Sequence, residues 1–238
     1  MNPSEININD IFNSFLSVIL GYIVATFIQP KNKKNLKLLL AFSGSFLLAL
    51  TVSHLLPQIF TNTNTNTNEH LHNNIGMFIM AGILFQIILE YFSQGAEHGH
   101  VHGHNHLSHI PWALFISLCL HALLEGMPIS QHPHVALGIS IHHFPIAIIL
   151  TTFLIQSDLN KMQIALFMLS FALMTPIGTY ISSCFDILVT YHKEITAFVI
   201  GILFHISSTI IFESSEGHKF NLAKLIAIIL GIILAYFM

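Results

Sequence analysis

The sequence predicts an all-α polytopic membrane protein with eight transmembrane helices, and three observations carry that prediction. Of 238 residues, 53% are hydrophobic and only 8% are charged. A soluble domain carries about 25% charged residues, so too few remain here to keep a globular surface wet. The mean hydropathy is +0.71. The apolar residues also fall in continuous runs close to the ~20 residues that cross a bilayer as a helix. Such runs are too long and unbroken for barrel strands, and hydrocarbon tolerates no unpaired backbone, so helices are expected.

The runs lie at roughly 11–29, 36–60, 75–93, 111–130, 134–155, 161–184, 194–212 and 220–238. Together they make one transmembrane domain over 1–238, with a His-rich loop at 94–110. The leader of the first run carries Glu5 and Asp10 and no Lys. That is the opposite of a secretory n-region, so this span is expected to stay in the mature protein. Lys31, Lys33, Lys34 and Lys37 crowd the connection between spans 1 and 2. If that side is cytoplasmic and the spans alternate, Lys161, Lys219 and Lys224 fall on or near it as well, and only Lys193 lies outside. Both termini are then extracytoplasmic.

Composition excludes several functions. The net charge is −3 and the basic residues are all Lys, which argues against a nucleic-acid surface. Cys119 and Cys184 lie in apolar stretches, so neither a disulfide framework nor a Cys-rich zinc module is indicated. The excess is in histidine, with 17 copies. The alternating Thr-Asn stretch from Thr61 to Asn68, ahead of Glu69, His70 and His72, has nothing to bury and is expected to be disordered. The loop between spans 3 and 4 reads EHGHVHGHNHLSH and carries His98, His100, His102, His104 and His106. Neutral imidazoles are good ligands for zinc and similar metals, so this cytoplasmic loop is expected to capture metal weakly. The plainer reading is a soluble linker of biased composition. A flexible loop fixes no geometry, so it is not expected to be the main site.

Ionisable groups inside spans are costly and tend to face a polar pathway. Span 4 reads SLCLHALLEGMPIS, with His121 and Glu125 four residues apart. On a helix they stack on one face, where an imidazole and a carboxylate can share a divalent cation. Pro128 follows at once and cannot donate to the carbonyl of Leu124. Span 5 reads GISIHHFPIAIIL. His142 and His143 point about 100° apart, so only one is expected to face a given partner. Pro145 is expected to kink that helix at the carbonyl of Ile141. Ligands beside helix breaks at membrane depth are a way carriers build cation sites, while each His alone could equally be a packing residue. His54 in span 2 and His205 in span 7 each admit a pathway role or a polar interhelical contact. Glu90 and Glu213 lie at span ends and could snorkel to water. Ser207, Ser208 and Thr209 would give span 7 a small-residue seam, and Thr175 to Gly178 mark a break in span 6, for close helix approach or a hinge.

These patterns resemble the ZIP (ZRT/IRT-like) divalent metal transporter family, over nearly the whole chain. FSGSFLLALTVSHLLP looks like the family's second span, HALLEG its span-4 signature, IHHFP its span-5 His motif and MTPIG its span-6 break. The resemblance implies a transporter, not an enzyme, that moves Zn²⁺, and sometimes Fe²⁺, Mn²⁺ or Cd²⁺, into the cytosol. It implies inverted three-helix repeats around a mid-membrane site, often a homodimer, and a primary site mapping to His121, Glu125 and His142. Many members have Asn after the span-4 His, where Ala122 stands here, and a carboxylate four residues after the span-5 His, where Ile146 stands. Span 7 has His205 near the position of the usual acid. A single-metal site is therefore expected, with His143 or water completing the shell.

The expected partners are the lipid bilayer and the divalent ion carried, with no nucleic acid and no resident cofactor. The expected location is a cell membrane. Histidine and carboxylate ligands suit Zn²⁺, whereas an all-oxygen cage for Ca²⁺ or Mg²⁺ is absent from the pattern. Binding should be pH-sensitive, because imidazoles must be neutral to coordinate. Two rivals stand beside this reading. One is an intramembrane haem protein with paired His ligands from His54, His121, His142 and His205, which leaves Glu125 and the His-rich loop unexplained. The other is a ZIP-fold metal sensor or scaffold without transport.

Overall fold

A computed structural model of the chain describes residues 8–28, 33–60, 69–93, 112–132, 135–213 and 221–238. All regular structure among them is helical. The α-helices are α1 (Ile8–Ile28), α2 (Lys33–Leu50), α3 (Leu56–Phe60), α4 (Glu69–Ser93), α5 (Trp112–Gly126), α6 (Val135–Ile155), α7 (Lys161–Cys184), α8 (Asp186–Thr190), α9 (His192–Glu213) and α10 (Leu222–Tyr236). A π-helical turn, Thr51–Leu55, joins α2 to α3 in one continuous rod, and a 3-10 turn, Met127–Ser130, extends α5.

Among the described residues, six stretches are long and apolar enough to cross a membrane: Lys34–Phe60, Ile75–Ser93, Trp112–Ser130, Val135–Ile155, Lys161–Cys184 and His192–Phe212. The protein is thus an all-α polytopic membrane protein. The two outer stretches, Phe12–Ile28 and Leu222–Tyr236, are apolar but shorter. At 1.5 Å per residue, the latter is about 22 Å long against a hydrocarbon core of about 30 Å. Large apolar side chains such as Phe27, Met77, Leu84, Ile187 and Phe212 stand exposed on the outer surface. In water such a surface would aggregate; in lipid it is solvated.

Four helix pairs make the closest contacts: α1 with α6, α2 with α10, α4 with α9 and α5 with α7. Further contacts join α1 to α7 and α2 to α9. These six pairings map onto one another when α1, α2 and α4 are exchanged with α7, α9 and α10, and α5 with α6, whereas the contact of α2 with α6 has no equal between α9 and α5. Helix packing in lipid has little hydrophobic drive and depends on close backbone approach at small residues. Each of the four pairs has such a point. A Cβ on Gly82 would lie 1.9 Å from the Phe198 carbonyl oxygen, and one on Gly201 would lie 2.0 Å from that of Ile79. Gly126 and Gly178 interlock α5 and α7 in the same reciprocal way, Gly21 lies against Ala147 and Phe144, and Gly231 against Phe42 and Ser45.

The break expected at Thr175–Gly178 is corrected. The helix α7 runs without interruption through Pro176, and α6 through Pro145. Neighbouring helices can satisfy the backbone groups that a proline frees, so a proline in a membrane helix need not end it. What the Thr175–Gly178 segment supplies is close approach, since Gly178 admits the backbone of α5.

Candidate metal site

The four-residue spacing on α5 puts His121 and Glu125 on one face, and that face is turned inward: His121 is 6% exposed and Glu125 1%. Their Nε2 and Oε2 atoms are 3.3 Å apart. The last turn of α5 is held by α7. Thr175 Oγ1 donates to the Ala122 carbonyl at 3.1 Å and Thr179 Oγ1 to that of Gly126 at 2.8 Å. Glu125 therefore sits in a stretch whose backbone is fixed from outside the helix.

The helix α6 brings His142 and His143 to the same place, both buried. His143 Nε2 donates to Glu125 Oε2 at 3.0 Å, while Glu125 Oε1 has no hydrogen-bond partner among the described residues. His142 takes the other side. One ligand atom each from His121, Glu125 and His142 lie within 4.8 Å of one another. Tetrahedral Zn–N bonds of 2.0–2.1 Å put ligand atoms about 3.4 Å apart, so closing the trio on an ion would draw its ligand atoms together by up to about 1.4 Å. The imidazoles also line a cavity with Leu118, Ile146 and Phe171, bounded on the far side by Ile206 and Ile210 of α9. A cation held by the trio would find one carboxylate and two imidazoles, which is a zinc-type ligand set.

The remaining candidates lie elsewhere. His54, in the π-turn, has its Nε2 donating to the Ala235 carbonyl of α10 at 2.9 Å. His205 Nε2 donates to Glu90 Oε2 at 2.5 Å across the α4–α9 seam. Glu90 is thus engaged with an imidazole while its side chain stays 23% exposed. The two rings serve different contacts, which does not assemble the four-histidine set of a haem protein. His98, His100, His102, His104 and His106 of the loop, the Thr-Asn stretch and the Glu213 side chain lie outside the described residues. Cys119 and Cys184 are free thiols.

Two polar residues at the site escaped the sequence reading. Ser43 of α2, fully buried, places its Oγ 2.9 Å from His142 Nδ1. Thr179 clamps the end of α5. Neither has a short-range spacing to the ligands that could have flagged it.

No protein-family model matches the sequence. A curated protein of Danio rerio named zinc transporter ZIP1 is 32% identical to this chain over 88 residues. The match covers 34% of this chain and 29% of that protein's length.

Proposed function

We propose that the chain is a ZIP-type transporter that carries a divalent metal, zinc above others, across a cell membrane toward the cytosol. In this reading all eight apolar stretches span, both termini are extracytoplasmic, and the ion passes through a single site made by His121, Glu125 and His142. The observation that carries the reading is the buried trio itself: three ligand atoms of zinc-compatible type within 4.8 Å of one another inside an apolar helical bundle. Partial similarity to a zinc transporter supports the same assignment. So does the exchange symmetry of the helix pairs, which is what two inverted three-helix repeats around a central pair would produce.

The ion would reach the trio stripped of most of its water, with His121 and His142 as neutral nitrogen donors and Glu125 as the only formal anion. One carboxylate neutralises half the charge of the ion, which favours release over storage. Water completes the shell, and His143 holds the carboxylate. Alternating access then moves the ion without any bond chemistry.

The test is zinc uptake by proteoliposomes holding the full chain. Wild-type protein should accumulate zinc, and His121→Ala or Glu125→Gln should lower the rate by at least about 100-fold, since the first removes a ligand and the second the only anionic charge at the site. Uptake at the wild-type rate in either variant removes the proposed site. Zinc binding without flux would instead identify a sensor or scaffold.

A further inference from the structure

We propose that Ser43 is a positioning residue that fixes the tautomer of His142, so that Nε2 carries the lone pair and faces the ion; the inference rests on the metal-site reading above. Ser43 belongs to α2 and is 99 residues from His142 in sequence. Its Oγ lies 2.9 Å from His142 Nδ1 and 3.5 Å from the carbonyl oxygen of the same residue. A serine hydroxyl has one proton and two lone pairs. In the proposed arrangement the hydroxyl proton points to the His142 carbonyl, which can only accept. What Oγ then offers Nδ1 is a lone pair, and Nδ1 holds the ring proton. A neutral imidazole protonated at Nδ1 is a ligand at Nε2. The opposite arrangement would leave the proton on Nε2, the ring nitrogen that Ser43 does not contact.

The contact is also fixed in place. One turn before His142 the two helices are in contact through the Leu50 side chain, whose δ-carbons would both lie 2.6 Å from a Cβ on Gly138. The ring of His142 is further confined by His143, at a centroid distance of 5.9 Å. Ser45 and Ser140 of the same two helices bond carbonyls of their own helix, as serines in apolar helices commonly do. The Ser43 hydroxyl instead reaches a ring on another helix. Partners that hold a ligating imidazole by its other nitrogen set both its orientation and its basicity.

A pre-oriented ligand lowers the cost of binding but does not drive the conformational cycle, so the variants should separate affinity from rate. In full-length protein in proteoliposomes, Ser43→Ala should raise the zinc Kd and KM about 10–100-fold. The rate at saturating zinc should stay within about threefold of wild type. Ser43→Thr keeps the hydroxyl on the same Cβ and should bring Kd back to within about threefold of wild type. Nitrogen NMR of ring-labelled, zinc-free full chain, with the His142 signals assigned by difference from His142→Ala, should show the Nδ1–H tautomer. The Nε2–H tautomer overturns the proposal whatever the variants do. So does a wild-type Kd in Ser43→Ala, or a Thr variant as weak as the Ala variant. His121→Ala is measured alongside. If it binds zinc as wild type does, the metal-site reading falls and the role of Ser43 with it. If it loses zinc while Ser43→Ala keeps it, only the role of Ser43 falls.

Discussion

Glu90 and His205 meet at 2.5 Å between α4 and α9, although 115 residues separate them in the chain. Gly82 and Gly201 draw the same two helices together. The side chains keep 23% and 19% of their exposure, so the pair is largely withdrawn from its surroundings but not sealed. Removing one partner takes this contact from the other at a place where water is scarce. Glu90→Leu or His205→Leu should each cost about 1–3 kcal/mol in the unfolding of detergent-solubilised protein. The double variant should cost less than the sum of the two, because the contact is lost only once. Strictly additive losses would mean that the contact contributes nothing.

The interlocked glycines make a sharper contrast. A Cβ on Gly126 would lie 2.2 Å from the Thr175 carbonyl oxygen, and one on Gly178 would lie 1.9 Å from that of Leu123. Both obstacles are backbone, so the helices themselves must separate. Gly126→Ala should therefore destabilise by about 1–3 kcal/mol or more. It should also weaken zinc binding, because Glu125 is its neighbour and the Thr179 clamp would be pulled away. Gly76 faces open space. There the change to Ala should be neutral or stabilising by up to about 1 kcal/mol, through helix propensity. Equal melting temperatures for the two variants would refute the packing argument.

His143 and His142 are neighbours in sequence with different tasks in the proposed site. His142 belongs to the trio, whereas His143 donates to Glu125 Oε2. His142→Ala should abolish measurable zinc binding. His143→Ala should leave binding detectable but about 10–100-fold weaker, as for loss of a group that orients a ligand. Isothermal titration of the two purified variants separates these outcomes, and a complete loss in both would make His143 a direct ligand.

The contrast between local and distant contacts explains how much was legible in the sequence. His121 and Glu125 could be paired because one turn of helix joins them, and the apolar runs follow from bilayer thickness alone. The pairing of Ser43 with His142, or of Glu90 with His205, depends on which helices pack together, and periodicity within a span carries no record of that. The π-turn around His54 was equally hidden, since one extra residue in a turn leaves no compositional mark. Proline misled in the opposite direction. Pro176 read as a break, yet α7 continues through it.

Ile146 offers the most demanding test of the charge argument. It lies one turn beyond His142 on α6 and lines the cavity with His121 and His142. A carboxylate placed there by Ile146→Glu would stand beside Glu125 in an apolar enclosure. Without metal, two acids so placed repel and lose hydration, so the zinc-free variant should melt below wild type. With zinc, two carboxylates balance the full charge of the ion, and the Kd should tighten at least about tenfold, or about 1.4 kcal/mol. Stabilisation by a ligand grows with the ratio of its concentration to Kd. The zinc-induced rise in melting temperature should therefore exceed that of wild type, while the saturated transport rate falls because release is slower. An unchanged Kd together with an unchanged thermal response would show that the carboxylate does not share the space of the ion, and the trio would have to be placed away from this cavity.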